Sequence, residues 1–382
     1  MNIYGRTSVS EFLGDNIVYR NLEPVDERLP ILDDLRADLG LPVDRVPRKS
    51  EADYARVIVR ILDAARALAG AAQPIERLLF VGDTRLNDGT AFDNICQAGG
   101  WPGLAFIGAR KGDEPTVEVV PTTSGQSVYL SNRWAALYEF DRFCAERGLP
   151  VDDKAAVIVD LDKTALGARG RNDHVINQAR VQAVRDTVAD LLGADFDEAA
   201  FTAVYGRFND VEFHPFTTDN QDYLAYLCLV VGGGLFDADR LADDILSGRL
   251  ESFRAFIEGV DARKADLPGG LAAIHAAIYT NVQAGDPTPF KAFRRQEFLT
   301  TIARMGCLPD SASVEELFAE EIVITQEVRA VALEWRDRGA LLFGLSDKPD
   351  EASLPTPEQA AQGLPPIHRA ETHAVGEAEQ AS

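Results

Sequence analysis

Lysine, histidine, cysteine and methionine are all scarce in this chain of 382 residues: seven Lys, five His, four Cys and two Met. Cys96, Cys144, Cys228 and Cys307 lie far apart, with no CxxC pair and no Cys/His cluster. That spacing argues against a disulfide framework or a structural zinc site. Long apolar runs are missing as well. The longest, Tyr223 to Phe236, contains three glycines and falls short of the roughly 20 residues of a spanning helix. The N-terminal MNIYGRTSVSEFLGD lacks a basic stretch followed by an apolar one, so no signal peptide is expected there. Positive charge is in deficit, with 38 Lys and Arg against 61 Asp and Glu and a formal net charge of −23. A surface so negative disfavours nucleic acid and anionic membranes as partners. The exclusions point to a cytoplasmic protein with reduced cysteines; oligomeric state is silent in the sequence.

What is present is an α/β pattern. A periodic helix over Glu51–Ala69 precedes Leu78-Leu79-Phe80-Val81, a short apolar run that ends at Gly82-Asp83 and reads as a buried parallel strand. Leu104–Ile107 ends at Gly108 in the same way. Thr116–Val120 and Ser127–Leu130 form an expected hairpin, and a helix over Asn132–Gly148 leads to the run Ala155–Val159, which ends at Asp160. Near the C-terminus a helix over Gln326–Arg338 stops at Gly339 and is followed by Leu341–Leu345, ending at Ser346. Between about Asp173 and Glu320 nearly every periodic segment is helical. The expected architecture is a strand–helix domain interrupted by a large helical insertion. The first 45 residues offer one helix, Leu29–Leu39, and the tail from about Glu371 reads as a loose end.

Open parallel sheets place their chemistry just past the carboxyl ends of their strands. Val159-Asp160-Leu161-Asp162-Lys163-Thr164 puts two carboxylates after a buried strand, which is costly unless a cation is near. Asp83 and Asp88 follow a second strand, and Ser346 follows a third. Alone, the latter two are weak signals, since Asp in a βα loop and Ser at a helix start are common.

Together these segments resemble the haloacid dehalogenase superfamily, whose phosphatases carry hhhhDxDx[TV], a strand-end Ser or Thr, a Lys at the start of a helix, and an acidic GDxxxxD. Asp160-Leu161-Asp162-Lys163-Thr164 matches the first motif, Ser346 the second, Lys49 the third and Gly82-Asp83 through Asp88 the fourth, with Arg48 a rival to Lys49. The family order is rotated here to third, fourth, first, second, as a circular permutation would produce. The resemblance implies a Rossmann-like parallel sheet with helices on both faces and a helical cap. It divides the chain into an N-terminal extension (1–45), a first core part (46–166), a cap (167–322), a second core part (323–373) and a loose tail (374–382). Leu364–Arg369 would supply the last strand in sequence.

Carboxylates cannot receive an anionic phosphate ester without a cation, and oxygen-only ligands suit Mg²⁺. The resemblance gives the metal to Asp160, Asp162 (through its carbonyl), Asp83 and Asp88. It implies Asp160 as nucleophile, Asp162 as acid and base, and Ser346, Lys49 and Thr164 as phosphate-binding residues. The implied activity is Mg²⁺-dependent hydrolysis of a small phosphorylated metabolite. Phosphoryl transfer to another acceptor, or a non-catalytic binding role, remain alternatives. Arg169 and Arg171, in the segment Gly167–Asp173, read equally as contacts for an anionic substrate or as solvated surface.

Overall fold

The computed structural model describes residues 1–43, 45–70, 73–218, 220–267 and 271–379. Contacts divide the chain into two units, Met1–Gln178 with Thr301–Ser382, and Ala179–Thr300. The described strands, all in the first unit, are β1 (Asn2–Thr7), β2 (Ile17–Val18), β3 (Arg77–Gly82), β4 (Gly103–Gly108), β5 (Val117–Pro121), β6 (Ser127–Ser131), β7 (Ala155–Asp160), β8 (Ile324–Thr325), β9 (Leu341–Leu345) and β10 (Thr372–Gly376). Seven of them build one sheet in the order β2-β9-β7-β3-β4-β6-β5, parallel except for β5.

β3, β4, β7 and β9 are buried along their whole length, which is why their sequences read as unbroken apolar runs. Alternation assigns their residues to two cores. Leu78, Phe80, Ala105, Ile107, Ala156, Ile158, Leu341, Phe343 and Leu345 share a core with Tyr54, Ile58, Phe92 and Ile95 of helices Ala52–Leu68 and Asp88–Gly99. On the other face Phe106 packs against Tyr129, Trp134 and Phe140, the last on helix Ala136–Glu146. Trp335 of helix Gln326–Asp337 donates its indole N–H to Asp141 of helix Ala136–Glu146 at 2.7 Å. Helices therefore cover both faces of the sheet.

The ends of the chain depart from the sequence reading. Residues 1–45 are no appendage: β2 lies beside β9 in the large sheet, and β1 pairs antiparallel with β10 in a second sheet ordered β1-β10-β8. The tail expected to be loose from Glu371 instead forms β10, buried along its length. Leu364–Arg369 is not a sheet strand; Pro365 and Pro366 lack the N–H groups a ladder needs, and Ile367–Arg369 turns as a 3₁₀ helix. The helix expected over Leu29–Leu39 starts at Leu32, past Pro30, and a short helix over Ser10–Leu13 precedes it.

The second unit contains helices and no strand among its described residues. Its helices include Glu198–Phe208, Gln221–Gly232, Ala238–Leu246, Phe253–Ala262 and Leu271–Gln283. Side chains of Asp197, Asp237 and Ser252 cap the first, third and fourth by accepting backbone N–H bonds. Its core is rich in aromatics, among them Phe208, Phe213, Tyr226, Phe253 and Phe256. The compact limits, 179–300, are narrower than the expected 167–322 at both ends. At the first end, the side chains of Arg171 and Asn172 are buried within the first unit. Arg171 forms a bidentate pair with Glu327 at 2.9 and 2.8 Å, and Asn172 bonds the backbone of Phe318, Glu321 and Val323.

Among the described residues no helix is long and apolar enough to cross a membrane.

Candidate active site

Adjacent strands β3, β7 and β9 end at the same edge of the large sheet. Val81 pairs with Val159, and Asp160 with Leu345, so Asp83, Asp160 and Ser346 follow one another along that edge. Asp88 opens the helix after β3, and Lys49 sits in the turn before helix Ala52–Leu68.

Lys49 is the hub. Its Nζ donates to Asp160 Oδ1 at 2.6 Å and to Asp88 Oδ1 at 2.7 Å, and all three side chains are less than a tenth exposed. The ammonium also lies 5.6 Å from the centre of the Phe80 ring. Arg48, its sequence rival, faces Asp347 at 3.5 Å instead.

Asp88 is held by its own turn. Its Oδ2 accepts the backbone N–H of Asp83 at 3.0 Å, that of Thr84 at 2.9 Å and the Thr84 hydroxyl at 3.0 Å. This return of the carboxylate requires glycine at position 82, where a Cβ would lie 2.7 Å from Asp88 Cβ, Cγ and Oδ2. The Gly-Asp pairing thus has a steric cause.

Asp83 accepts from Arg169 Nε at 2.5 Å. Arg169 is itself fixed by its backbone: its N–H donates to Lys163 O at 2.8 Å, and its carbonyl accepts from Arg110 N at 2.9 Å and Trp134 Nε1 at 3.2 Å. The neighbouring Gly170 has a φ of +73° and passes so close to Arg110 that any Cβ would strike its carbonyl. Of the two arginines left open by the sequence, Arg169 belongs to the acidic cluster and Arg171 to a buried pair with Glu327.

Oxygens from Asp83, Asp88 and Asp160 lie within 4.8 Å of one another. Three carboxylates there face two cations, Lys49 and Arg169, so negative charge is in excess. Burial and the two other acids push Asp160 well above the usual carboxylate range, against the pull of Lys49. Burial and Asp88 push Asp83 up to about 7, although Arg169 opposes them. Asp88 goes the other way: burial would raise it, but Lys49 and the Thr84 N–H hold it below its ordinary value. An all-oxygen donor set with surplus negative charge fits a hard cation, and these three residues could hold a metal ion.

The other expected site residues are not members of this triad. Asp162 is partly exposed and lies in the loop after β7, with Oδ1 3.8 Å from Lys348 Nζ. Its neighbour Lys163 adopts φ +66°, uncommon for a residue with a side chain. Ser346 is buried; its N–H donates to Val18 O at 3.0 Å and its Oγ accepts from Lys348 N at 3.1 Å. Thr164 is wholly buried, with its carbonyl accepting from Thr325 Oγ1 at 2.5 Å and its own hydroxyl lacking a partner. His275 of the helical unit is buried between Tyr226 at 2.6 Å and Asp261 at 3.3 Å.

Sequence reasoning passed over two cations beside the loop after β9. Lys348 carried a signal in the scarcity of lysine. Arg20, which donates to Asp347 O at 2.7 Å, carried none, because nothing ties residue 20 to residue 347 before β2 is seen beside β9.

Comparison with known proteins gives no significant match to a family model, a curated protein or a solved structure.

Proposed function

We propose that this protein is a Mg²⁺-dependent phosphatase of the haloacid dehalogenase type, hydrolysing a small phosphorylated metabolite through an aspartyl-phosphate on Asp160. The observation that carries the reading is the buried group of Asp83, Asp88 and Asp160 around Lys49 at the strand ends of a parallel sheet. The rotated motif order is read as a circular permutation, and the helical unit 179–300, inserted in sequence between Asp160 and Ser346, as the cap.

Asp83, Asp88 and Asp160, with the carbonyl of Asp162, would hold the metal. Bound Mg²⁺ would supply the positive charge that lets Asp160 ionise beside two other acids and that neutralises phosphoryl oxygens. A carboxylate oxygen of Asp160 attacks phosphorus as the bond to the ester oxygen breaks. Asp162 delivers a proton to that departing oxygen, giving a neutral alcohol. Water then attacks phosphorus in the aspartyl-phosphate, Asp162 takes its proton, and inorganic phosphate leaves with Asp160 regenerated. Lys49 holds Asp160 in place and compensates charge on the phosphoryl group. Ser346 donates its hydroxyl to a phosphoryl oxygen.

The test is phosphate release from a panel of phosphorylated metabolites with Mg²⁺ and with chelator, for the wild type and Asp160→Asn. The reading expects turnover that needs the metal and Asp160, and an acid-stable phosphoenzyme in the wild type. Full turnover in chelator, or by Asp160→Asn, refutes it.

A further inference from the structure

Only two of the seven lysines are buried among the described residues, Lys49 and Lys348. Burying an ammonium costs several kcal/mol unless charge and hydrogen bonds compensate. For Lys49 the compensation comes from Asp160 and Asp88. Lys348, 7% exposed, lies two residues past Ser346 in the loop after β9, with its Nζ 3.8 Å from Asp162 Oδ1. Thr301 Oγ1 accepts from the same Nζ at 3.4 Å, and Ser346 Oγ accepts the Lys348 backbone N–H at 3.1 Å. Each carboxylate of Asp160-Leu161-Asp162 therefore has its own buried ammonium. One arrives from the turn before helix Ala52–Leu68, the other from the loop after β9.

The two carboxylates differ in how the backbone holds them. Asp160 is the last residue of a strand paired on both sides. Asp162 stands in a loop, a quarter exposed, next to the left-handed Lys163. A group that passes a proton to a defined oxygen must keep its direction, and a loop carboxylate needs a fixed counter-charge to do so. We propose that Lys348 is the positioning residue of Asp162, anchored by Thr301 and by the Ser346 hydroxyl. The proposal rests on the phosphatase reading, because it is that reading which gives Asp162 its proton-transfer role.

The experiment compares Lys348→Met, Lys348→Arg, Asp162→Asn and the double variant Lys348→Met/Asp162→Asn in the full chain with Mg²⁺. Substrates are an alkyl phosphate and p-nitrophenyl phosphate, whose phenolate leaves without a proton. Lys348→Met should lose about 10–100-fold on the alkyl ester, part of the 10²–10⁴-fold typical of acid–base catalysis, and distinctly less on the aryl ester. Lys348→Arg should restore most of the loss. In the Asp162→Asn background Lys348→Met should cost no more than about twofold, since residues acting as a unit are non-additive. Equal losses on both esters, or a full cost in the Asp162→Asn background, overturn the positioning role and leave the phosphatase reading intact. A wild type that hydrolyses no phosphate ester ends the phosphatase reading instead. Carboxyl ¹³C signals of labelled aspartate then decide the contact on their own. The signal that Asp162→Asn removes should move in Lys348→Met and return in Lys348→Arg, and an unmoved signal overturns the inference.

Discussion

In the helical unit Asp222 and Glu297 share Arg294. Asp222 accepts its Nε at 2.7 Å and the Phe290 N–H at 3.0 Å, while Glu297 accepts Nη1 at 2.6 Å and Arg180 Nε at 3.1 Å. Two acids meet two arginines, and burial is compensated on both sides. In the α/β unit three acids meet one lysine and one arginine, and burial, with the neighbouring acids adding to it, drives Asp160 and Asp83 toward their neutral forms. Buried ionic groups alone therefore do not mark a site. A matched set rigidifies a core, whereas an unmatched set leaves a place for one more positive charge.

The largest expected difference between the two sets is in turnover. Asp160→Asn should bring phosphate-ester hydrolysis to background, and Asp222→Asn should leave it measurable below the variant's melting temperature. Comparable activity in the two variants would erase the distinction.

Stability should respond in the opposite sense. Removing one partner of a matched buried set strands the other, so Asp222→Asn should lower the unfolding free energy by about 3–5 kcal/mol. Asp160→Asn leaves two acids with two cations. In chelator it should be at least as stable as the wild type, in keeping with the strain that sites carry for function. Urea unfolding of both variants checks this. A large loss for Asp160→Asn would make the cluster a structural network.

Metal gives the third contrast. A ligand that binds only the folded state stabilises it by RT ln(1 + [L]/Kd), about 2.7 kcal/mol at one hundred times Kd. Mg²⁺ should therefore raise the melting temperature of the wild type and of Asp222→Asn by similar amounts, and not that of Asp83→Asn or Asp160→Asn. A Mg²⁺ shift that survives both cluster variants would place the ion elsewhere.

The unmatched set was far more legible in the sequence than the matched one. β3, β7 and β9 are apolar runs with abrupt polar ends, so Asp83, Asp160 and Ser346 announce themselves at strand ends. Asp222 and Arg294 are 72 residues apart on helices, where a charged residue reads as solvated surface until both faces are seen covered. The terminal strands were hidden for related reasons. β2 is two residues long, and β1 is mostly exposed, with no apolar alternation to betray it. Its partner β10 lies at the other end of the chain, and pairing over that separation leaves no local trace. Lys348 stood beside Ser346 in the sequence, but its partner Asp162 is reached only because β7 and β9 are neighbours.

Asp350 offers the finest distinction, an acid outside both sets and with no salt bridge among the described residues. It opens the 3₁₀ turn Asp350–Ala352 after β9, and its Oδ1 accepts the Asn21 N–H at 3.2 Å. Burial pushes its carboxyl up to about 7, the Asn21 N–H pulls it back, and Glu23 and Glu351 push it further. Its folded value thus lies above the roughly 3.9 of an unfolded aspartate. The folded chain then holds the proton more tightly, so this contribution to stability is complete below about pH 4 and is lost as pH rises through about 7. Asp350→Asn keeps an oxygen for the Asn21 N–H and has no proton to lose. Its urea midpoint should therefore gain on that of the wild type between pH 5 and pH 8, while the two stay close at pH 4. Because a proton and not a metal relieves this group, the gain should be the same with Mg²⁺ as with chelator. A pH-independent difference between the two proteins would mean that Asp350 is ionised in the fold, and a difference that Mg²⁺ abolishes would tie it to the cluster of Asp83, Asp88 and Asp160.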